Sequence, residues 1–552
     1  MDEDAPKERP GNRTRDVVRS SGTTSVAAAL GVASGLLLDV AIASGFGAGV
    51  RTDAFFVAAR IPIGLTSLLM VGANQALVPA ISTWLVAKRR QESWRLTTSL
   101  LGGAALVGFS LAAVAALLAG PLVRLTAPGL TPEATATATA LARILFLLVP
   151  LVALAEVFRA LLNALRSFVA PALMHVVLNG VAAAIVVGTE GGIERVAWAY
   201  VAGAVAQLAF LFVVALRRGY RVVPGASLRD PEVTAAARLS VRPLVGAGLN
   251  PLARVGEQAI ISFLPPGAIS IMNYGYRLIS AIGGSVLFRS VVVVILPRLT
   301  RATTEGHHDE IRQLTRLGVQ IMLVVSVPLT AMMAVLASPA VLVVFRRGNF
   351  SEADAALLGT VLAVYAASLV GSAVQRALLA PFYARLDTKT PLRNTVYGVA
   401  ANLALVPVFL LALGDRPFAV VGVAAAYSIA QYVNVAHAWF RLRRDAGIHL
   451  TGVGATALKL LAAGAVMALV LVAGVALADP QDVGSRVEQL AITSLIGAAG
   501  LAVFVGAAAA LGLLDLARRS LAIRRPGRQP PSHPAQEGPA DPRTHDEGAG
   551  AS

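Results

Sequence analysis

The sequence predicts an all-α polytopic membrane protein with about 14 transmembrane helices, twelve of them arranged as two pseudo-symmetric six-helix bundles. Three observations carry that prediction. Of 552 residues, 56% are hydrophobic and only 14% charged, with a mean hydropathy of +0.70, which excludes an ordinary soluble chain of this length. Apolar runs long enough to cross a bilayer, roughly 20 residues each, recur through most of the chain. The first half of those runs also reappears in the second half, shifted by about 217 residues: Arg60 matches Arg277, Pro79 matches Pro297, and Glu133 matches Glu352. Arg159-Ala160-Leu161-Leu162 likewise matches Arg376-Ala377-Leu378-Leu379. A duplicated helical bundle places its working site on the interface between the copies, near mid-membrane, which points to a transporter.

In order, the runs fall at about 24–46, 54–85, 97–122, 138–162, 168–188, 194–216, 241–264, 267–297, 314–345, 355–382, 392–413, 417–440, 456–478 and 489–514. The seventh and eighth are divided only by Pro265-Pro266-Gly267. The expected organisation is a cytoplasmic tail (1–23), a first bundle (24–216), a cytoplasmic connection (217–240), a second bundle (241–442), two extra transmembrane helices (443–520) and a tail (521–552). Residues 526–552 are polar and rich in Pro and Gly, a composition of disordered segments. The first run is full length and lacks a small-residue cleavage site, so it reads as a retained span rather than a signal peptide.

The formal net charge of +16 raises the question of nucleic acid, and the placement of the charges answers it. Basic residues collect in alternate connections: Arg13/Arg15/Arg19, Lys88-Arg89-Arg90, Arg217-Arg218, Arg298/Arg301, Arg385/Lys389, Arg441/Arg443/Arg444 and Arg518-Arg519. This positive-inside pattern puts both termini in the cytoplasm, with Arg346-Arg347 as the exception. No nucleic-acid partner is expected. The chain has no cysteine, so disulfides, thiolate chemistry and thiol-ligated metals are excluded.

A charge at the centre of a membrane helix is disfavoured by roughly 2.5–3.5 kcal/mol on translocon scales, so such residues face a cavity or a partner. The candidates are Asp39 in the first run, Arg60 in the second, Arg254 and Glu257 in the seventh, and Arg277 and Arg289 in the eighth, with Asp53 just before the second. They follow the duplication. Each half contributes one carboxylate from its first run (Asp39, Glu257) and one arginine from its second (Arg60, Arg277), so two anions and two cations would meet in one central space. Bland alternatives stand beside this. Asp39 and Arg60 could pair within the first half and only fix packing. Arg254 and Glu257, three apart on one helical face, could neutralise each other. Arg289 sits where it can snorkel to the interface, and Asp53 where it can cap a helix. Arg159 and Arg376 read as anchors at helix ends. His175, Asn179, Asn250 and Asn402 read as interhelical hydrogen-bond glue. Arg277 has no acid within one turn of its own helix and is the strongest ligand candidate. No P-loop, HExxH or nucleophile-plus-base arrangement is present, so neither an enzyme nor a resident cofactor is expected. Uphill transport would draw on an ion gradient or the membrane potential.

Four stretches carry a resemblance. Residues 46–80 (FGAGVRTDAFFVAARIPIGLTSLLMVGANQALVPA), 267–300 (GAISIMNYGYRLISAIGGSVLFRSVVVVILPRLT), 345–355 (FRRGNFSEADA) and 382–391 (FYARLDTKTP) resemble the MurJ (MviN) family of lipid II flippases, within the multidrug/oligosaccharidyl-lipid/polysaccharide exporter superfamily. The resemblance implies two bundles around a central cavity lined by runs 1, 2, 7 and 8, flanked by two further helices that form a groove for a lipid tail. The implied cargo is a polyprenyl-diphosphate-linked disaccharide-pentapeptide, moved by alternating access. Arg277 matches a cavity arginine of the family, Arg60 a basic position, and Asp39 and Asp53 acidic ones. The chain also departs from the pattern: Leu38 precedes Asp39 where the family carries Arg-Asp, Val32 replaces an arginine, Thr66 and Val71 replace an arginine and a glutamate, and Glu257 is an addition. A sodium site of some members needs carboxylates in runs 7 and 11; here run 7 offers Glu257, and run 11 only amides and hydroxyls, Asn402 best placed. Expected partners are the lipid-linked precursor and the bilayer. Alternatives are a flippase for another lipid-linked oligosaccharide, a drug/cation antiporter, or a transport-inactive scaffold for cell-wall synthesis or division proteins.

Overall fold

A computed structural model describes residues 10–86, 89–223, 248–249, 251–283, 286–414, 418–479 and 484–513; the connection at 224–247 and the tail beyond 513 lie outside them. The described residues form helices joined by short turns. The first bundle comprises α1 (Pro10–Phe46), α2 (Val50–Val86), α3 (Arg90–Leu117), α4 (Ala119–Thr126), α5 (Pro132–Leu145), α6 (Leu148–Ala164), α7 (Val169–Gly188) and α8 (Glu194–Arg217). The third and fourth apolar runs are thus each broken once, at Leu118 and at Phe146–Leu147. The second bundle comprises α9 (251–261), α10 (Ala268–Gly283), α11 (Val286–Thr304), α12 (His308–Phe345), α13 (Glu352–Ala384), α14 (Lys389–Leu413) and α15 (Ala419–Ala446), and α16 (Val453–Ala478) and α17 (Arg486–Ala510) follow.

Twelve described segments are long and apolar enough to cross a membrane. The seventh and eighth of the fourteen expected spans are the two not among these twelve; they are represented by α9 and by α10 and α11, and part of each run lies outside the described residues. The surface agrees with immersion in lipid. Leu117, Leu411 and Leu477 are each more than four-fifths exposed, which water would not favour over so large an area.

The duplication is visible in the packing. In the first bundle α6 packs against α2, α3 and α8, and α7 against α1 and α8. In the second, α13 takes the place of α6 against α10, α12 and α15, and α14 packs on α15. Both central helices end alike: Arg166 and Leu386 take a left-handed conformation (φ 57° and 58°). There the N–H groups of Ser167 and Asp387 reach back to the carbonyls of Leu162 and Phe382, closing the helix in a Schellman-type turn. Side chains set several starts: Thr131 caps α5 ahead of Pro132, and Ser351 with Asp354 forms a capping box on α13. α16 and α17 pack on each other and on α12.

The halves touch where α2 meets α10 and where α1 meets α10 and α12. Those contacts position the site.

Candidate functional site

Between the bundles lies a cavity of about 620 Å³, lined from α2, α9, α10, α13, α14 and α15. Of the seven charged residues singled out from the sequence, Arg60, Arg254, Glu257 and Arg277 line it, and the Arg289 side chain lies outside the described residues. The other two, Asp39 and Asp53, are not among its lining residues, and each has a different place.

Asp39 stands behind Arg277. The Arg277 guanidinium, on α10, donates to the Asp39 carboxylate on α1, across the divide between bundles. The same Nη1 lies 3.4 Å from the Tyr200 hydroxyl of α8. The Asp39 side chain is 3% exposed and that of Arg277 30%, so the carboxylate is sealed while the guanidinium keeps a face on the cavity. The alternative ion pair within the first half, Asp39 with Arg60, does not form. Arg60 reaches the other bundle instead: Nε donates to Gln258 Oε1 of α9 at 2.7 Å and Nη2 to Asn273 Oδ1 of α10 at 2.8 Å. Arg254 and Glu257 do pair with each other, at 2.7 Å, as their spacing predicts. Arg254 also lies over the rings of Tyr276, 3.3 Å from its centroid, and Tyr427, at 5.0 Å, a cation–π arrangement.

The arrangement is therefore asymmetric, although the residues are duplicated. Three arginines meet two carboxylates, Asp39 and Glu257. Among the described residues of the cavity, Arg60 is the cation whose hydrogen bonds go to neutral amides, those of Gln258 and Asn273. Such a site suits an anion with several oxygens, because guanidinium groups form short, directional, charge-assisted bonds to phosphate. Among the described residues no group of three His, Cys, Asp or Glu side chains is placed to hold a metal ion. Glu257 faces Arg254 rather than the Asn402 amide.

Asp53, in the first turn of α2, caps a helix, but not its own. It accepts from Gly267 N–H at 2.6 Å, from Ser270 N–H at 2.8 Å and from the Ser270 hydroxyl, so it closes the start of α10 in the opposite bundle. Two further ties lie at the same end. Asn349 donates through its backbone to the Ser44 carbonyl (2.8 Å) and through its side chain to the Gly45 carbonyl (2.6 Å). Gly129 N–H donates to the Ser262 hydroxyl at 2.9 Å. Gly348, at φ 55°, approaches so closely that a Cβ there would sit 2.2 Å from the Ser44 carbonyl oxygen. The 345–355 motif is thus a clasp between bundles, anchored by Phe350, buried against Tyr274 and Phe345. The end that carries the α1–α2, α9–α10 and α12–α13 connections is closed.

Arg159 and Arg376 are more than end anchors: each bonds a backbone carbonyl of the second apolar run of its own half, Met70 and Gly283 respectively. Arg159 is also paired with the buried Glu156, which sequence reasoning passed over. Asn179 bonds Ser34 of α1 at 3.2 Å, the interhelical role expected of it. Asn250 and the Arg289 side chain lie outside the described residues. Gln258, Asn273, Tyr276 and Tyr427 were not foreseen; the first three lie within a turn or two of charged residues, whereas Tyr427 sits in a run with no charge between Arg416 and Arg441.

Comparisons with known proteins bear on the fold and the family. The family model "Lipid II flippase MurJ" matches residues 42–491. A probable lipid II flippase MurJ of Vibrio cholerae is 27% identical over 432 residues, covering 76% of this chain and 81% of the relative. The lipid II flippase MurJ of Burkholderia cenocepacia is 29% identical over 383 residues, covering 66% and 72%. Among solved structures, a lipid II flippase MurJ in an inward closed conformation superposes with a TM-score of 0.69 at 19% identity, covering 87% of this chain and 98% of that one. An inward-facing multidrug resistance MATE family transporter of the MOP superfamily follows at 0.63 and 14% identity, covering 78% and 96%. The fold is that of this superfamily, and the chain belongs to the lipid II flippase MurJ family.

Proposed function

We propose that the chain moves a polyprenyl-diphosphate-linked peptidoglycan precursor, lipid II, from the inner to the outer leaflet of the bacterial cytoplasmic membrane by alternating access. The observation that carries the reading is Arg277, held by a sealed Asp39 of the opposite bundle yet open to the cavity, with Arg60 as a second cation. A diphosphate entering there can take up the free N–H groups of both arginines, linking the bundles through the cargo. With both termini placed in the cytoplasm by the positive-inside distribution, the end closed by Asp53 and Asn349 faces outward and the cavity faces the cytoplasm. The lipid tail stays in the bilayer while the headgroup crosses. An ion gradient or the membrane potential drives the cycle, the potential contributing about 2.3 kcal/mol per charge per 100 mV.

The test is complementation. In a bacterium depleted of its own lipid II flippase, this chain restores growth and delivers the precursor to the outer leaflet, where an externally added enzyme can modify it. Continued lysis with the precursor trapped inside, despite full expression in the membrane, refutes the assignment. A second reading, another lipid-linked oligosaccharide, is favoured by Val32, Leu38 and Thr66, which stand where the family carries cations. It predicts failed complementation together with loss of a different surface glycan when the native gene is removed.

A further inference from the structure

The α13–α15 side of the cavity carries amides, among them Gln375, Asn402 and Asn434, alongside apolar and hydroxyl side chains. Asn402 of α14 and Asn434 of α15 line it, are 7% and 6% exposed, and each has a buried Oδ1 with no hydrogen-bond partner among the described residues. Buried amide oxygens are seldom left unpaired in folded proteins. A polar group kept so beside a cavity points to a ligand that pairs with it.

The wall is also held in place from behind. Asn394, fully buried, accepts from Gln375 Nε2 at 2.5 Å and donates to the Asn434 backbone carbonyl at 2.7 Å. Its Nδ2 also lies 3.1 Å from His437 Nδ1. Asn434 can lie across α14 only because residue 398 is glycine: a Cβ there would come within 2.3 Å of both terminal atoms of its amide.

We propose that Asn402, Asn434 and Gln375 form a carbohydrate subsite, which takes the saccharide of the headgroup while Arg60 and Arg277 take the diphosphate. The inference rests on the lipid-linked cargo proposed above. An amide offers donor and acceptor on one planar group, matching the hydroxyl and acetamido groups of an N-acetylated sugar. Two ions that line the same cavity, Arg254 and Glu257, are paired with each other.

The test measures binding to full-length protein in lipid nanodiscs. Three ligands are compared: undecaprenyl diphosphate, the same lipid carrying an N-acetylated disaccharide, and the same again with the pentapeptide. Asn402→Leu and the double variant Asn402→Leu/Asn434→Leu should bind undecaprenyl diphosphate within about twofold of wild type and both saccharide lipids about tenfold more weakly. Because the Asn402 oxygen has no partner among the described residues, Asn402→Leu should unfold at or above the wild-type temperature. Equal loss for all three lipids, no loss, or loss confined to the peptide-bearing lipid would each overturn the subsite, the last in favour of peptide recognition. Wild-type protein that binds none of the three defeats the cargo proposal and the subsite with it, whereas unselective variants of a binding wild type defeat the subsite alone.

Discussion

Asp39 and Arg277, 238 positions apart in the chain, join the two bundles through an ion pair whose anion is sealed and whose cation faces the cavity. Their repeat mates do not copy it. Glu257 turns to Arg254 in its own helix, and Arg60 to the amides of Gln258 and Asn273. The two arginines therefore differ in what their removal leaves behind.

Arg277→Ala strands a buried carboxylate, a change that destabilises by about 3–5 kcal/mol in buried pairs. Asp39→Asn combined with Arg277→Ala should recover most of that loss without restoring headgroup translocation. Unfolding in detergent and transport in proteoliposomes separate the two effects. Translocation at the wild-type rate by the double variant would remove Arg277 from the substrate site.

Arg60→Ala leaves only neutral amides behind, so its effect on stability should be smaller, about 1–3 kcal/mol. Transport should nevertheless fall more than about tenfold if Arg60 grips the diphosphate. Arg60→Lys restores the charge but not the two-armed geometry, and an intermediate rate is expected. A rate unchanged in Arg60→Ala would assign this residue to packing alone.

Asp53→Asn places amide hydrogens against the N–H groups of Gly267 and Ser270 and should loosen the closed end. The chain contains no cysteine, so a single Ala268→Cys, buried at the capped start of α10, reports directly on that end. Its reaction with a membrane-impermeant thiol reagent should accelerate several-fold in the Asp53→Asn background. Equal rates in both backgrounds would mean that the cap does not hold the bundles together.

Asp387, in the turn before α14, gives a pH prediction. Burial raises its carboxyl, but the Thr390 hydroxyl (2.6 Å), the N–H groups of Thr390 (3.1 Å) and Lys389 (2.9 Å), and the charge of Arg441 outweigh burial and hold it below the ordinary aspartate range. A depressed folded value means that the contribution to stability is full above the unfolded value, about 3.9, and is lost as pH falls through the folded one. The difference in unfolding temperature between wild type and Asp387→Ala should be constant from about pH 8 to 5 and vanish in stronger acid. A difference that persists there would place the effect in packing.

The charges were legible in the sequence because the duplication marks them twice: Asp39 with Glu257 and Arg60 with Arg277 recur at spacings that differ by a single residue. Which carboxylate meets which arginine was not, since helical periodicity fixes neighbours within a helix and says nothing of partners 200 residues away. The Arg254–Glu257 pair, three residues apart, was readable for that reason, and the cap from Asp53 onto α10 was not. The amide wall was hidden for another reason. Asn and Gln in membrane helices usually bond a neighbouring helix, as Asn179 does, and only the cavity distinguishes Asn402 and Asn434 from them.

α16 and α17 rest on α12, so they ride with the second bundle. When one bundle tilts against the other, the last two helices travel with the second as its passengers, so a label on either of them reports the movement of the whole half to which they are fastened.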